Sequence, residues 1–281
     1  MPAEAKRQEG RVAFITGGAR GQGRSHALRL ASEGADIVLC DVLEQLPTVP
    51  YPNATADDLA ETVRQVEALG QRALGLVADV RDFEQVDRAV VRGLEEFGHL
   101  DILVAQAGIC TFGRIDSMDP GQWHDMIDTN LTGVFNAIRA ALPGMVSRGY
   151  GRIIATSSMA GRAGWENIGH YAASKWGVIG LVKSVALEVA AHGITANVIC
   201  PSAVNTPMML NGPSYQLFRP DVVDPSLEDA LPAFTGVNVI PVPYVEPSDI
   251  SDAVAFLASE QAAMVSGAVL SVSAGVNTRN I

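Results

Sequence analysis

Tyr171 and Lys175 stand four residues apart in Gly169-His170-Tyr171-Ala172-Ala173-Ser174-Lys175-Trp176-Gly177. In a helix that spacing puts a phenol and an ammonium on one face, about 6 Å apart along the axis. A phenol with an ordinary pKa near ~10 is a poor base at neutral pH, but an adjacent cation favours its phenolate. The pair is thus one way to make a general base for an alcohol proton. Taken alone it is equally an ordinary neighbour pair on an amphipathic helix. Two other polar residues bear on the choice. Ser158 lies 13 residues before Tyr171, just past an apolar strand pattern, and Asn130 sits inside a helical pattern running from Trp123 to Val146. An interior Asn has poor helix propensity, so it is either kept for a polar task or is a solvated, helix-bending residue.

The elements that must position these residues can be read outward from the N-terminal end. Val12 to Ile15 is a short apolar strand running into Thr16-Gly17-Gly18-Ala19-Arg20-Gly21-Gln22-Gly23, and Arg24 to Glu33 is helical. Strand, glycine turn and helix form the first half of a dinucleotide-binding unit, in which the backbone approaches a pyrophosphate and the helix N-terminus faces it. The second strand, Asp36 to Cys40, ends in Asp41, 18 residues past Gly23, near the spacing at which an acid meets the adenosine ribose. A carboxylate there accepts from the ribose hydroxyls and repels a 2′-phosphate, which favours NAD over NADP. Arg20 and Arg24 pull the other way, because either could face a 2′-phosphate, and Asp41 could also be a plain turn or capping residue.

Further strands are expected over Arg72 to Ala78, Leu100 to Ala105, Arg152 to Thr156, Thr195 to Cys200 and Ala268 to Val272, with a helix over Phe83 to Phe97 between the first two. Asp79 follows the third strand, where it could accept from an adenine amino group, and Asp82 reads as a helix cap. Gln106-Ala107-Gly108 follows the fourth strand with small residues that admit a nucleotide close to the backbone. Alternation of strands and helices predicts an α/β fold: one Rossmann-type, doubly wound parallel sheet of about seven strands in a single domain spanning 1–281, with its ligand crevice at the carboxyl ends of the strands.

Composition narrows the function classes. Twenty basic against 31 acidic residues give a formal charge of −11, with no basic stripe to follow a phosphate backbone, so no nucleic-acid partner is expected. Cys40, Cys110 and Cys200 have neither zinc spacing nor an even count and read as buried, reduced thiols, and no metal is expected. Met1 to Gly10 is charged with no apolar core, and no stretch approaches the ~18 apolar residues of a span, which predicts a cytoplasmic chain with no membrane partner.

With these residues assembled, the chain resembles the short-chain dehydrogenase/reductase family over nearly its whole length. Thr16-Gly17 through Gly23 matches the family's TGxxxGxG turn, and Asn130, Ser158, Tyr171 and Lys175 fall where its catalytic tetrad is expected. The resemblance implies hydride transfer between the nicotinamide of NAD and a secondary alcohol or ketone. Tyr171 would exchange the hydroxyl proton, Ser158 would hold the substrate oxygen, and Lys175 would lower the Tyr171 pKa and bind the nicotinamide ribose. Asn130 would hold a water connecting Lys175 to solvent. It further implies that Gly17, Arg20, Gly21, Gln22, Gly23, Asp41, Asp79, Val80, Gln106, Ala107, Gly108, Tyr171, Lys175, Val204 and Thr206 bind the cofactor, Val204 and Thr206 at its carboxamide. Two stretches depart from the family: its NNAG reads Ala105-Gln106-Ala107-Gly108, and its Pro-Gly after the sixth strand reads Pro201-Ser202.

Val42 to Ala56, carrying Pro47, Pro50 and Pro52, is longer than the usual 2–6-residue connection and reads as an insertion, with residues 43–56 beside the adenosine site. With Asn205-Thr206-Pro207-Met208 and Leu217 to Asp221, it resembles the actinobacterial branch that includes carveol dehydrogenases and mycofactocin-associated enzymes. That narrower resemblance implies an apolar, carveol-like alcohol or ketone, tightly held NAD, an external redox partner such as mycofactocin, and a homotetramer. The insertion is then a flap over the adenosine end, restrained by its prolines, with Tyr51 covering an adenine or ribose face and its hydroxyl in water; a functionless surface loop is the alternative. Thr55 reads as the N-cap of the helix that follows.

Residues 205–246 read as a lid over the substrate, with Met208, Met209, Leu210, Tyr215, Leu217, Phe218 and Phe234 as its apolar inner face. The same residues could instead pack on the core or on another subunit. Two other functions stay open: an NADPH-dependent biosynthetic ketone reductase, which Arg20 supports, and a non-catalytic NAD-binding redox regulator, which would not need Ser158, Tyr171 and Lys175 together.

Overall fold

Seven short apolar runs become seven parallel strands. A computed structural model describes residues 6–278, with strands Val12–Thr16 (β1), Asp36–Asp41 (β2), Ala73–Val77 (β3), Ile102–Ala105 (β4), Gly151–Thr156 (β5), Ile194–Pro201 (β6) and Val269–Val272 (β7). Their order in the sheet is β3-β2-β1-β4-β5-β6-β7, every neighbouring pair parallel. Every residue of β1, β4, β5 and β6 is buried, because crossover helices cover both faces of the sheet. The strand order reverses between β1 and β4, which opens a crevice at their carboxyl ends.

The pleat of each strand divides the core in two. Val12, Phe14 and Val38 face the helices Phe83–Phe97 (α3), Gly133–Arg148 (α5) and Gly169–Val189 (α6). Ala13, Ile15, Ile37 and Leu39 face Gly21–Ser32 (α1), Ala56–Ala68 (α2) and Pro247–Ala258 (α9). Local chemistry fixes the helix starts. Thr55 and Asp58 form a reciprocal capping box on α2, and the Asp82 carboxylate accepts from Glu84 N and Gln85 N on α3.

The helical pattern around Asn130 is not one α-helix. Pro120–Ile127 (α4) gives way to a π turn over Asp128–Thr132 before α5 begins, and Gly133 N donates five residues back to Asp128 O. One extra residue in the turn rotates Asn130 inward and buries it completely. The connection 205–246 is likewise structured, containing Gly212–Phe218 (α7) and Leu227–Val237 (α8). Cys40 and Cys200 are buried as expected, whereas Cys110 is only half-buried; all three are free thiols.

Among the described residues no helix is long and apolar enough to cross a membrane, and no group of His, Cys, Asp or Glu could hold a metal ion. The expectation that rests on residues 1–5 lies outside the described residues.

Candidate active site

The first turn of α6 carries Tyr171 and its next turn Lys175, so the helix delivers both side chains to the crevice beside the end of β5. Lys175 is buried, and its Nζ lies 5.6 Å from the Tyr171 ring centre and donates to Thr156 O at 2.9 Å. A single backbone acceptor leaves two ammonium protons for other partners. Ser158 follows β5 in an extended conformation, and its Oγ accepts from Ala160 N at 3.1 Å. That N–H occupies a lone pair, and the hydroxyl proton meets Tyr171, from which it can turn to a substrate oxygen.

Burial controls the electrostatics. Desolvation lowers Lys175 to about 8 and raises the Tyr171 phenol well above its ordinary 10, with the Ser158 hydrogen bond acting against the rise. The expected lowering of Tyr171 by Lys175 is therefore not found: burial outweighs any help from the ammonium, and the phenol stays protonated.

Asn130 is held by its neighbours. Its Oδ1 accepts from Ile109 N at 2.8 Å and its Nδ2 donates to Ile109 O at 2.9 Å, with a further contact to Ser174 Oγ at 3.3 Å. The side chain clamps the chain leaving β4. The packing there is close: a Cβ on Gly108 would stand 3.2 Å from Asn130 Oδ1 and 3.4 Å from Lys175 Nζ.

Two cavities meet in the crevice. One, of about 470 Å³, is lined by Ser158, Tyr171, Lys175 and Val204 and by apolar residues including Phe112, Trp165, Met209, Leu217, Phe218 and Phe234. The other, of about 140 Å³, runs along Gly17, Arg20, Gly21, Gly23, Asp41, Asp79, Val80 and Ala107. Gln22, Gln106, Gly108, Ile109, Thr206 and Met208 line both, so the two form one groove from Asp41 to Tyr171. All the residues picked out for the cofactor therefore border one continuous space.

That space fits a dinucleotide. In the glycine turn, a Cβ on Gly23 would lie 2.0 Å from Gly17 O, so only bare backbone lets α1 begin there. Gln22 Oε1 is buried with no partner in the protein, a group that a bound polar ligand can satisfy. The Asp41 carboxylate accepts from Ala19 N and Val42 N and still has lone pairs for ribose hydroxyls. Burial raises its pKa, while these two N–H groups and Arg20 oppose the rise. Arg24 is spent on Thr62, Ala19 O and Asp58, while Arg20 lines the groove and donates one N–H to Pro52 O of the insertion.

The insertion is tied to a chain of three polar contacts that the sequence did not disclose. Thr48 Oγ1 donates to Asp125 of α4 at 2.7 Å, Asp125 pairs with Arg81 at 2.8 Å, and Arg81 forks onto Asp79 at 2.7 Å. Asp79 thus reaches the groove with Arg81 already on its carboxylate. Tyr51 corrects an expectation: it is buried with Leu46, Val49, Ile109 and Met126, and its hydroxyl meets Cys110 N at 3.1 Å rather than water. The insertion therefore crosses the groove toward Tyr171 and does not merely cover the adenosine end.

In the lid, Met208, Met209, Leu217, Phe218 and Phe234 line the larger cavity, but Leu210 and Tyr215 do not. The Tyr215 ring packs on Phe234 at 6.3 Å, the ring that Phe218 meets edge-on at 4.6 Å. No periodicity marked Thr48, Arg81 or Asp125, since each acts through a partner remote in sequence.

A family model described as short chain dehydrogenase matches residues 11–214. The chain is 46% identical over 276 residues to (-)-trans-carveol dehydrogenase of Rhodococcus erythropolis, covering 97% of this chain and 99% of that protein. It is 36% identical over 271 residues to trans-4-hydroxycyclohexanecarboxylate dehydrogenase of Sinomonas cyclohexanicum, covering 96% and 94%. A crystal structure of carveol dehydrogenase from Mycobacterium avium in complex with NAD matches with a TM-score of 0.95 and 45% identity, over 97% of this chain and 99% of that one.

Proposed function

The chain belongs to the short-chain dehydrogenase family, and from that premise we propose that it is an NAD-dependent oxidoreductase interconverting an apolar, carveol-like secondary alcohol and its ketone. The observation that carries this reading is the single groove joining Asp41 to Tyr171. NAD, held along that groove, supplies the hydride acceptor or donor. Asp41 binds the adenosine ribose, Asp79 and Val80 the adenine, Gly17, Arg20, Gly21, Gln22 and Gly23 the pyrophosphate turn, and Gln106, Ala107 and Gly108 the facing wall. Val204 and Thr206 hold the carboxamide end. The Asp41 carboxylate inside the groove disfavours the NADPH reading.

The protein's own part is proton movement and alignment. The Ser158 hydroxyl donates to the substrate oxygen and stabilises its developing charge. Tyr171 gives its proton to that oxygen in reduction and takes one in oxidation. Lys175, with two free ammonium protons, holds ribose hydroxyls beside Tyr171. Asn130 acts as a positioning residue by clamping Ile109. The walls of Phe112, Met209, Leu217, Phe218 and Phe234 select an apolar ring over a charged substrate, which would be left unpaired among them.

Domain layout follows the same reading: one catalytic domain, with 43–56 as a cofactor strap and 205–246 as the substrate lid. The strap, tied to α4 through Thr48 and to Cys110 through Tyr51, retains NAD between turnovers. A retained cofactor must pass its electrons to an external carrier, the part that mycofactocin would take. Phe135, Trp176 and Leu187 are 44%, 52% and 84% exposed on α5 and α6, a disposition that supports pairing of this surface in a homotetramer. We assign the protein to the cytoplasm, where its free thiols stay reduced.

Denaturing the purified protein and identifying the released nucleotide tests the cofactor. Turnover of cyclic terpene alcohols, with a dye as electron acceptor, tests the reaction. Release of NADP, or activity confined to charged substrates, would refute the proposal.

A further inference from the structure

His26 lies on the second turn of α1, wholly buried, with no part in the proton chemistry described above. Its Nδ1 faces Ser251 Oγ at 2.8 Å, and its Nε2 faces Gln106 Oε1 at 3.2 Å. Thr156 Oγ1 donates to the same Gln106 oxygen in a short hydrogen bond. Burial lowers His26 to about 4, so the ring is neutral near pH 7 and carries one N–H.

Hydrogen-bond arithmetic decides which way the Gln106 amide points. The Thr156 hydroxyl is buried and has no other acceptor among the described residues, so it needs the amide oxygen. With the oxygen there, His26 donates to it from Nε2, and its Nδ1 accepts from Ser251 Oγ, whose single proton then turns to the ring from the Pro247 carbonyl 2.9 Å away. Ser25, 2.7 Å from Ser251 Oγ, supplies the next donor in the chain. Turning the amide over would strand the Thr156 proton. The Gln106 NH₂ then points away from this network and makes no hydrogen bond to any described residue, although Gln106 lines both cavities where they meet.

We infer that the Gln106 side-chain amide is a hydrogen-bond donor to an oxygen acceptor of the bound dinucleotide, and that His26 is the positioning residue that fixes its orientation. The inference rests on the proposal that the groove binds NAD. A dinucleotide lying through both cavities would offer this amide pyrophosphate oxygens or nicotinamide-ribose hydroxyls as acceptors. The departure from the family's NNAG pattern at Gln106 acquires a purpose: the longer side chain reaches both Thr156 and His26 with its oxygen.

The test is the rate of NADH release from the loaded protein, followed by nucleotide fluorescence, alongside thermal unfolding. Gln106→Glu keeps the shape and the oxygen that accepts from His26 and Thr156, but replaces the groove-facing NH₂ with an oxygen. It should speed release at least tenfold with little change in unfolding temperature. His26→Leu should speed release by a smaller factor, and His26→Leu in a Gln106→Leu background should add less than twofold, because the residue acts through the amide. Release unchanged in Gln106→Glu, or His26 and Gln106 effects that multiply independently, would overturn the inference. Failure of the wild-type protein to bind NADH or NAD at all would overturn both this inference and the proposed function.

Discussion

Replacing Asn130 with Ala separates a clamp from a proton-path residue. The substitution removes an acceptor 2.8 Å from Ile109 N and a donor 2.9 Å from Ile109 O, at a site with no solvent exposure. Each backbone group left buried and unpaired costs about 1–3 kcal/mol, so the pair costs about 2–6 kcal/mol. At roughly 2–4 °C per kcal/mol for domains approaching this size, the unfolding midpoint should fall by roughly 4–24 °C. Asn130→Asp retains the acceptor but turns a second oxygen toward Ile109 O, so it should be destabilised by a similar amount. The assay is thermal unfolding at saturating NAD with kcat measured well below the midpoint, where we expect kcat to fall less than tenfold. A midpoint unchanged within about 1 °C combined with a hundredfold loss of kcat would refute the clamp and return Asn130 to the proton path.

Tyr171→Phe should reduce turnover by ~10²-fold or more while leaving the bound nucleotide in place, and Lys175→Ala should lower both turnover and nucleotide content; undiminished turnover in the first variant would reassign the base. Asp41→Ala should raise the use of NADP relative to NAD by on the order of 1–3 kcal/mol, read as a ratio of kcat/KM values; no change would place the ribose elsewhere. Thr48→Val unties the strap from Asp125, and stopped-flow release of NAD should quicken by roughly tenfold, the scale of a hydrogen bond to a charged group. Replacing 43–55 with a Gly-Ser turn should quicken release further; equal rates would make the strap a surface elaboration. His26 contributes a pH dependence whose sign follows from its lowered value. Because the folded protein holds it at about 4 against 6.5, the unfolded chain takes up the proton first. Stability should thus be full above pH ~6.5 and fall as the pH drops toward 4, by up to ~1.4 kcal/mol per unit. Urea midpoints should show that slope flattened in His26→Leu.

Local patterns carried the fold because a doubly wound sheet is built from short-range signals. Buried parallel strands are continuous apolar runs, the glycine turn is contiguous, and α2 and α3 announce themselves with capping residues at Thr55 and Asp82. Tyr171 and Lys175 were legible for the same reason, since helical spacing alone sets them on one face. What tertiary structure decided lies wherever one side chain acts through another distant in sequence. Tyr51 looked like a solvent-facing cover, yet Cys110 N, 59 residues away, claims its hydroxyl. The helical pattern around Asn130 gave no sign of the π turn that swings its side chain onto Ile109. The fate of Asp79 depends on Arg81, Asp125 and Thr48, drawn from α4 and the insertion. Spacing also could not show that the Tyr171 phenol is held protonated, because desolvation depends on everything packed around the ring rather than on the lysine one turn away.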